Sequence, residues 1–265
     1  MQADWQQHIN NKHQKDYQWT TFAKGSSNTL YLGEFENENL VVRVNAPTEL
    51  TPGVERQREA ALLALISCYQ WAPRIIENGF KQGWCAMYRY EAITEPTLSP
   101  QQSAQLLTAI TELQLIDTKH LTPIVGFVVE YEKLWDTLYL PEAQKQNCQQ
   151  ALTWLKQIKQ LLNDLPSVPA CFVHHDLHLG NLAMDSGQSP NQIILLDWEY
   201  GGIGNPWIDA AALKSLLAIS NEDIHQLPAF KTLSLEHFNI GLRQATHLMD
   251  IISKIWYWMR EQKSA

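Results

Sequence analysis

The chain has 265 residues, of which 45% are hydrophobic and 18% charged, so it can bury a core close to the size at which one core divides into two. Its formal net charge is −8 and it contains no basic cluster, which argues against nucleic acid as a partner.

The first residues and the cysteines bear on where the protein works. Residues 2–18 are polar, and the most apolar helical run, 210–219, is interrupted by Lys214, so neither a secretion signal nor a membrane span is predicted. The four cysteines are widely spaced and form no C-x-x-C pair, which indicates neither a zinc ribbon nor a disulfide framework. We therefore expect a cytoplasmic protein.

Two predicted strands, 19–23 and 30–35, are joined by a turn of small and polar residues. The turn contains Gly25, Ser26, Ser27 and Asn28. Small residues allow backbone N–H groups to approach a phosphate group, so these four are candidate phosphate-binding residues. An ordinary hairpin would use the same residue types, and the turn alone does not decide between the two.

The next predicted strand, 40–44, carries Arg43, and the predicted helix 54–68 carries Glu59. Glu59 shares one helix face with the apolar residues Leu62, Leu63 and Ile66. A buried acid needs a cation, and Arg43 is the obvious candidate. Two alternatives remain open: Arg43 is an exposed strand residue, and Glu59 pairs with Arg56 on a solvated edge.

The second half of the chain is predicted to be mostly helical. A strand at 84–90 is followed by a hinge at 91–96, and apolar stripes then predict helices whose task is packing. These helices are 100–116, 141–163, 205–219 and 236–260. We expect an α+β protein with two lobes: residues 1–93 form an antiparallel sheet plus a helix, and residues 94–265 form a mostly helical lobe.

The strongest signal lies in two short motifs, VHHDLHLGN at 173–181 and IILLDWEY at 193–200. Short apolar runs on both sides predict strand, polar loop, strand, turn and strand. Asp176 and Asn181 then lie on the loop, and Asp197 ends the last strand. A carboxylate base with oxygen ligands for Mg²⁺ is what phosphoryl transfer from a nucleotide requires. We predict that Asp176 is the base and that Asn181 and Asp197 bind the metal.

The histidines of the first motif allow other interpretations. Three histidines beside an aspartate could bind zinc, although the usual metallohydrolase order differs from this one. We predict instead that His174 is structural and bonds the backbone near Asp197, and that His178 shapes the loop.

These residues resemble the aminoglycoside phosphotransferase and choline kinase superfamily, which has a protein-kinase-like fold. Its loop reads His-Gly-Asp-x-x-x-x-Asn, its metal strand ends in Asp-Trp-Glu or Asp-Phe-Glu, and choline kinases have a Gly-x-Ser-Asn phosphate loop. The chain departs from the pattern at His175, where glycine is usual, and at Arg43, where kinases have lysine.

The resemblance implies a small-molecule kinase that uses Mg²⁺ and ATP or GTP. The nucleotide would be held by the turn at Gly25 together with Arg43 and Glu59. Asp209 would brace the catalytic loop, and its alternative is a charge favoured at a helix N-terminus. Departures from the pattern leave open a pseudokinase that senses nucleotide without transferring phosphate.

The candidate acceptor-binding residues are Glu199, Tyr200, Trp256 and Trp258. An aromatic cage with a carboxylate suits a cationic ligand, whereas Trp256 could instead pack in the core. Similarity to bacterial thiamine kinases makes thiamine the first choice, ahead of choline or ethanolamine and then aminoglycosides. The predicted partners are a nucleotide and a small hydroxyl-bearing molecule, and neither nucleic acid nor a membrane. The chain could be a monomer or a homodimer.

Overall fold

The computed structural model describes residues 2–25, 28–47, 53–187 and 191–264. Its first part is a five-stranded sheet with the strand order β1-β2-β3-β5-β4, in which all neighbours are antiparallel. The strands are β1 (Gln18–Lys24), β2 (Asn28–Phe35), β3 (Glu38–Asn45), β4 (Ile75–Gly79) and β5 (Trp84–Tyr88). This is the antiparallel sheet that the sequence predicts, with β4 as an unpredicted edge strand.

Helix α1 (Gln2–His13) covers one face of this sheet. Trp5 and Ile9 of the helix are buried with Leu40, Val42 and Trp84 in a small second core. The sequence does not predict a helix here, because two apolar residues in a polar segment form only a weak apolar stripe. The tertiary contact with an aromatic sheet therefore stabilises this helix.

Helix α2 (Arg56–Ile66) begins at a side-chain cap, where Glu55 accepts hydrogen bonds from the backbone N–H groups of Gln57 and Arg58. Capping satisfies N–H groups that have no partner inside the helix. The buried face of α2 consists of Glu59, Leu62, Leu63 and Ile66, as the periodicity predicts.

The rest of the chain is mostly helical. Its helices are α3 (Pro100–Gln114), α4 (Tyr131–Leu138), α5 (Leu140–Lys145), α6 (Gln149–Asp164), α7 (Trp207–Ser215), α8 (Asn221–His225) and α9 (Leu235–Ser264). The long helix α9 packs against α6 and α7 around the main core. In the described ranges, no helix has the length and apolar character needed to cross a bilayer.

Short strands between the helices carry the motif residues. Strands β6 (Glu91–Ala92), β8 (Leu182–Asp185) and β9 (Gln192–Leu195) form one antiparallel sheet. Strands β7 (Cys171–Val173) and β10 (Gly202–Gly204) form a two-stranded ladder. Because β6 pairs with β8, the start of the predicted hinge is strand rather than loop.

Two predicted helices need correction. The predicted helix 141–163 is two helices, α5 and α6, because Asn147 between them adopts a left-handed φ of 47°. The predicted helix 205–219 is shorter, since α7 starts after Pro206 and ends at Ser215. Helix α4, between the two predicted helices 100–116 and 141–163, was not predicted at all.

Candidate active site

The two motifs fold into one unit. After β7 the chain forms a loop and one 3-10 turn, Leu179–Asn181, before it enters β8. Strand β8 pairs with β9, and the Leu196 N–H donates to the Asn181 carbonyl at 2.8 Å. The end of β9 is thereby fixed beside Asn181, which brings Asp197 to the same end of the sheet.

Asn181 is oriented by the candidate base. Its Nδ2 donates to the backbone carbonyl of Asp176 at 2.8 Å and to Asp176 Oδ2 at 2.9 Å. The amide nitrogen is therefore committed to the loop, and the amide oxygen Oδ1 faces away from these two contacts. The side chain of Asp176 is 39% exposed, so a substrate hydroxyl can reach it, whereas Asn181 is buried.

Two buried side chains hold the loop that carries Asp176, which is the candidate catalytic loop. His174 Nε2 donates to the carbonyl of Leu196 at 2.8 Å, which is the backbone contact expected for this histidine. The carboxylate of Asp209, in the first turn of α7, accepts hydrogen bonds from the backbone N–H groups of His174 at 2.7 Å and His175 at 2.9 Å. Burial raises the pKa of Asp209, and the contacts from His174 oppose that rise.

His175 occupies the position at which the motif usually has glycine. Its φ of 67° lies in the left-handed region that favours glycine, which explains the usual residue. Its ring contacts the carbonyl of Tyr200 through Nδ1 at 2.9 Å and the hydroxyl of Tyr131 through Nε2 at 2.6 Å. Burial lowers the pKa of His175 to about 4, so the ring is neutral at pH 7.

The zinc alternative has no support in this arrangement. Both ring nitrogens of His174 and of His175 are used in contacts with protein groups, because His174 Nδ1 accepts from the Asp176 N–H at 3.3 Å. His178 Nδ1 likewise accepts from the Gly180 N–H. In the part of the chain that the structure describes, no three His, Cys, Asp or Glu residues are grouped to hold a metal.

Arg43 joins the sheet, helix α2 and the second motif. Its Nη2 contacts both carboxylate oxygens of Glu59, at 2.5 and 2.6 Å, and its Nη1 contacts Asp197 Oδ1 at 2.5 Å. The predicted Arg43–Glu59 ion pair is therefore confirmed, and Arg43 is 5% exposed rather than an exposed strand residue. Arg56, the alternative partner, donates to the carbonyl of Ala46.

The electrostatics of Arg43 follow from these neighbours. Burial alone would lower its pKa, but the carboxylates of Glu59 and Asp197 outweigh that effect and raise it. The guanidinium is thus a permanent cation next to Asp197. The Arg43–Asp197 contact is not predictable from the sequence, since neither residue's local pattern refers to the other.

Glu199 links the first turn to the second motif. Asn28 Nδ2 lies 3.5 Å from Glu199 Oε2, and the turn is closed by the Gly25 N–H, which donates to the carbonyl of Asn28 at 2.8 Å. Glu199 is 4% exposed, and burial, with the nearby charge of Asp197, raises its pKa to about 8. The predicted residues Ser26 and Ser27 lie outside the described residues.

Of the aromatic candidates, the structure brings two together. Tyr200 is hydrogen-bonded to Trp256 and its pKa is raised, first by burial and then by the charges of Glu199 and other neighbours, Asp176 among them. Trp256 is half-buried and also stacks under the guanidinium of Arg260, 4.7 Å from the ring centroid. Trp258 packs against the main core and has no described contact with Tyr200.

One residue of the site was missed from the sequence. The hydroxyl of Tyr131, at the start of α4, contacts Nε2 of His175 and also accepts a hydrogen bond from the backbone N–H of Asn205 at 2.8 Å. It is a lone tyrosine after a segment with no periodicity, so no sequence signal could have identified it.

The residues near Asp197 fit a magnesium ion. Mg²⁺ prefers oxygen ligands and is usually held by one or two protein carboxylates together with phosphate oxygens. Asp197 offers a carboxylate that is 26% exposed, and Asn181, at the end of the 3-10 turn, offers an amide oxygen. This donor set suits a metal that is shared with a nucleotide.

The fold and the site together define a protein-kinase-like architecture. An antiparallel sheet with a buried Arg–Glu pair precedes a helical region that carries an Asp-x4-Asn loop and a strand, β9, which ends at Leu195, two residues before Asp197 and not at Asp197 as predicted. The phosphotransferase enzyme family model matches residues 18–244, and the chain belongs to this family.

Solved structures confirm the fold. Choline kinase LicA from Streptococcus pneumoniae superposes with a TM-score of 0.66 at 17% identity, and the match covers 98% of this chain and 92% of that chain. A macrolide 2'-phosphotransferase type I gives a TM-score of 0.64 at 14% identity, over 99% of this chain and 97% of that chain.

A curated relative is also similar in sequence. The thiamine kinase of Escherichia coli (strain K12) is 23% identical over 202 residues, which is 73% of this chain and 65% of the relative. The match therefore spans slightly less than two thirds of that protein's length.

Proposed function

We propose that the protein transfers the γ-phosphoryl group of ATP or GTP to the hydroxyl of a small, cationic metabolite, with thiamine as first choice and choline or ethanolamine as second. The observation that carries the proposal is the position of Arg43, which bonds both Glu59 and Asp197 at 2.5 Å. A permanent cation at that place is suited to nucleotide phosphates, close to an exposed carboxylate on the loop.

Each residue has a separate task in the proposal. Asp176 orients the acceptor hydroxyl and accepts its proton, and Asn181 and Asp197 would hold Mg²⁺, which neutralises charge on the phosphates when it is bound. Arg43 and the turn at Gly25 position the phosphates. The proposal assigns nucleotide binding to residues 1–93 and catalysis with acceptor binding to residues 94–265.

Two aromatic side chains and two similar proteins support the choice of acceptor. The charge of Asp176 acts on Tyr200, and the rings of Tyr200 and Trp256 are suited to contact a cationic ring or ammonium group. Similarity to thiamine kinase supports thiamine, and the fold shared with a choline kinase supports choline. Glu199 is buried and contacts Asn28, so Tyr200 and Trp256 make better acceptor contacts than this carboxylate.

A nucleotide sensor is the second candidate function. It is favoured by one observation: Arg43 already contacts one oxygen of Asp197, which leaves a single oxygen of that carboxylate for a metal. A sensor would bind nucleotide tightly and transfer nothing.

The deciding experiment measures ADP or GDP release by the purified protein with Mg²⁺ and ATP or GTP. The acceptors are thiamine, choline, ethanolamine, homoserine and kanamycin, and Asp176→Asn is the control. We expect acceptor-dependent release from the parent and a decrease of roughly 10² to 10⁴ fold in the control, with nucleotide binding retained. Tight nucleotide binding without release for any acceptor would favour the sensor, and full turnover in Asp176→Asn would refute the assigned base.

A further inference from the structure

We propose that Tyr131 and His175 form a positioning pair that fixes the catalytic loop, and that in this chain the pair does by hydrogen bonding what glycine does elsewhere by backbone freedom. This inference rests on the proposed function, because the loop that it positions carries Asp176. Neither residue is a ligand of the metal or the nucleotide in that proposal. Both act through the conformation of the loop.

The backbone of the loop requires support at His175. The residue has a φ of 67°, in the left-handed region that glycine adopts freely and that is uncommon for every other residue, although asparagine, aspartate and histidine adopt it more often than most. Asp176 follows directly, so a change in the backbone at His175 would move the base. The contacts of the histidine side chain stabilise this conformation together with the hydrogen bond from its backbone N–H to Asp209.

The partners of the imidazole determine its tautomer. A backbone carbonyl can only accept, so His175 Nδ1 carries the proton and donates to Tyr200 at 2.9 Å. In the neutral ring Nε2 is then an acceptor, and the Tyr131 hydroxyl donates to it at 2.6 Å. The Asn205 N–H donates to the same hydroxyl at 2.8 Å. Each N–H or O–H group in this network therefore has one acceptor, and the three hydrogen bonds are consistent with a single tautomer of His175.

The network ties three segments to one another. Tyr131 begins α4, Tyr200 and Asn205 lie on either side of β10, and His175 lies on the catalytic loop. Strand β10 is itself paired with β7, directly before the loop. Asp209 completes the restraint by accepting from the backbone N–H groups of His174 and His175. Hydrogen bonds therefore hold both the side chain of His175 and the backbone N–H groups of the loop.

Gly204 is adapted to the histidine. A Cβ on Gly204 would lie 2.7 Å from His175 Nε2 and 2.5 Å from the hydroxyl oxygen of Tyr131, which is closer than side chains tolerate. The space for the pair thus depends on the absence of a side chain at this position.

The test compares His175→Gly, Tyr131→Phe and the double variant with the parent. Glycine restores the residue that best suits the backbone but removes both hydrogen bonds, so the two possible roles of position 175 predict opposite results. If the pair positions the loop, we expect each single variant to lower kcat by about tenfold or more, because a small misplacement of a catalytic group is costly. The nucleotide KM should change by less than about twofold.

The double variant measures coupling between the two residues. Since the two side chains act through one contact, its kcat should lie within about twofold of the His175→Gly value. Tyr17→Phe is the matched control, because it removes a buried tyrosine hydroxyl that donates to Glu38 at 2.6 Å, away from the loop. That variant should lower thermal stability and leave kcat unchanged.

Three results would refute the proposed positioning role of Tyr131 and His175. They are a His175→Gly kcat equal to or above that of the parent, losses that multiply in the double variant, and an equal loss of kcat in Tyr17→Phe. If the parent binds nucleotide but transfers phosphate to no acceptor, the proposed function fails separately. The pair is then tested by nitrogen-15 NMR of His175, where a protonated Nδ1 is expected, and by coupling between the two variants in unfolding; additive unfolding energies would refute it.

Discussion

Arg43 is a single residue on which three parts of the site depend. It is 5% exposed, and its fork of donors contacts two oxygens of Glu59 and one of Asp197. A lysine has one point charge and could not satisfy both carboxylates with the same geometry. The change from lysine to arginine at this position is therefore a change in how the site is connected, since Arg43 holds α2 and the end of β9 together.

Removing the charge of Glu59 should weaken this connection. Glu59→Gln leaves the buried guanidinium with one anionic partner instead of two, and breaking a buried pair typically costs about 3 to 5 kcal/mol, here reduced by the remaining Asp197 contact. We expect a lower free energy of unfolding in urea and weaker nucleotide binding. Glu34→Gln, an exposed residue of β2, is the control, and equal behaviour of the two variants would contradict the assigned role.

Asp209 offers a second test at the residue scale. In Asp209→Asn one acceptor oxygen becomes an NH₂ group that faces a backbone N–H of His174 or His175. The loop should shift, and we expect kcat to fall by about 10² fold, as small misplacements do. Nucleotide affinity, measured by calorimetry, should change much less. If the aspartate acts only as a charge near the N-terminus of α7, kcat would remain near that of the parent.

At the scale of elements, α1 shows how a segment with weak local signals becomes a helix. Trp5 lies edge-on to Trp19 with ring centroids 4.9 Å apart and also contacts Tyr31 at 5.1 Å. Lys15 and Tyr17, which follow the helix, both contact Glu38. The helix is therefore joined to the sheet by aromatic packing at one end and by polar contacts beyond the other.

Trp5→Ala should test this packing. Loss of a buried tryptophan side chain costs about 3 to 5 kcal/mol, so we expect the melting temperature of the protein to fall. Because α1 lies on the second core and not at the candidate site, kcat measured well below the melting temperature should be unchanged. Phe22→Ala, which truncates an aromatic side chain that is 47% exposed, should change stability by much less.

The elements also show what the sequence can and cannot predict. The Arg43–Glu59 pair was predicted because a carboxylate on an apolar stripe of α2 needs a buried cation, and the loop and strand around Asp176 and Asp197 follow from a motif with fixed spacing. Tyr131 was not predicted, since its importance arises from contact with residues far along the chain. The limits of α5 and α6 were missed because one asparagine changes the backbone direction.

For the whole molecule, Glu199 makes stability depend on pH. Burial and the charge of Asp197 raise its folded pKa from 4.5 to about 8, so between these values the folded protein holds a proton that the unfolded chain has lost. The contribution of Glu199 to the free energy of unfolding is fully present below about pH 4.5 and is lost as the pH rises through about 8. By linkage the free energy of unfolding falls over this window by about 5 kcal/mol at most.

The measurement is urea unfolding from pH 5 to pH 9 in the presence of EDTA. Glu199→Gln should flatten the dependence and exceed the parent in stability at the alkaline end, because its amide has no charge to bury. Glu95→Gln, on an exposed loop, is the control and should follow the parent curve. A parent whose stability rises between these pH values would contradict the raised pKa.

Gly204 imposes an order on how this site can change during evolution. Because any side chain there would collide with the ring of His175 and with the hydroxyl of Tyr131, position 204 can accept a larger residue only after both the histidine and the tyrosine have been replaced. We expect relatives with histidine at 175 and tyrosine at 131 to retain glycine at 204, and relatives that lack both of these side chains to vary freely there. Three positions, on α4, the loop before Asp176 and β10, would then covary although the proposed function assigns none of them to substrate binding.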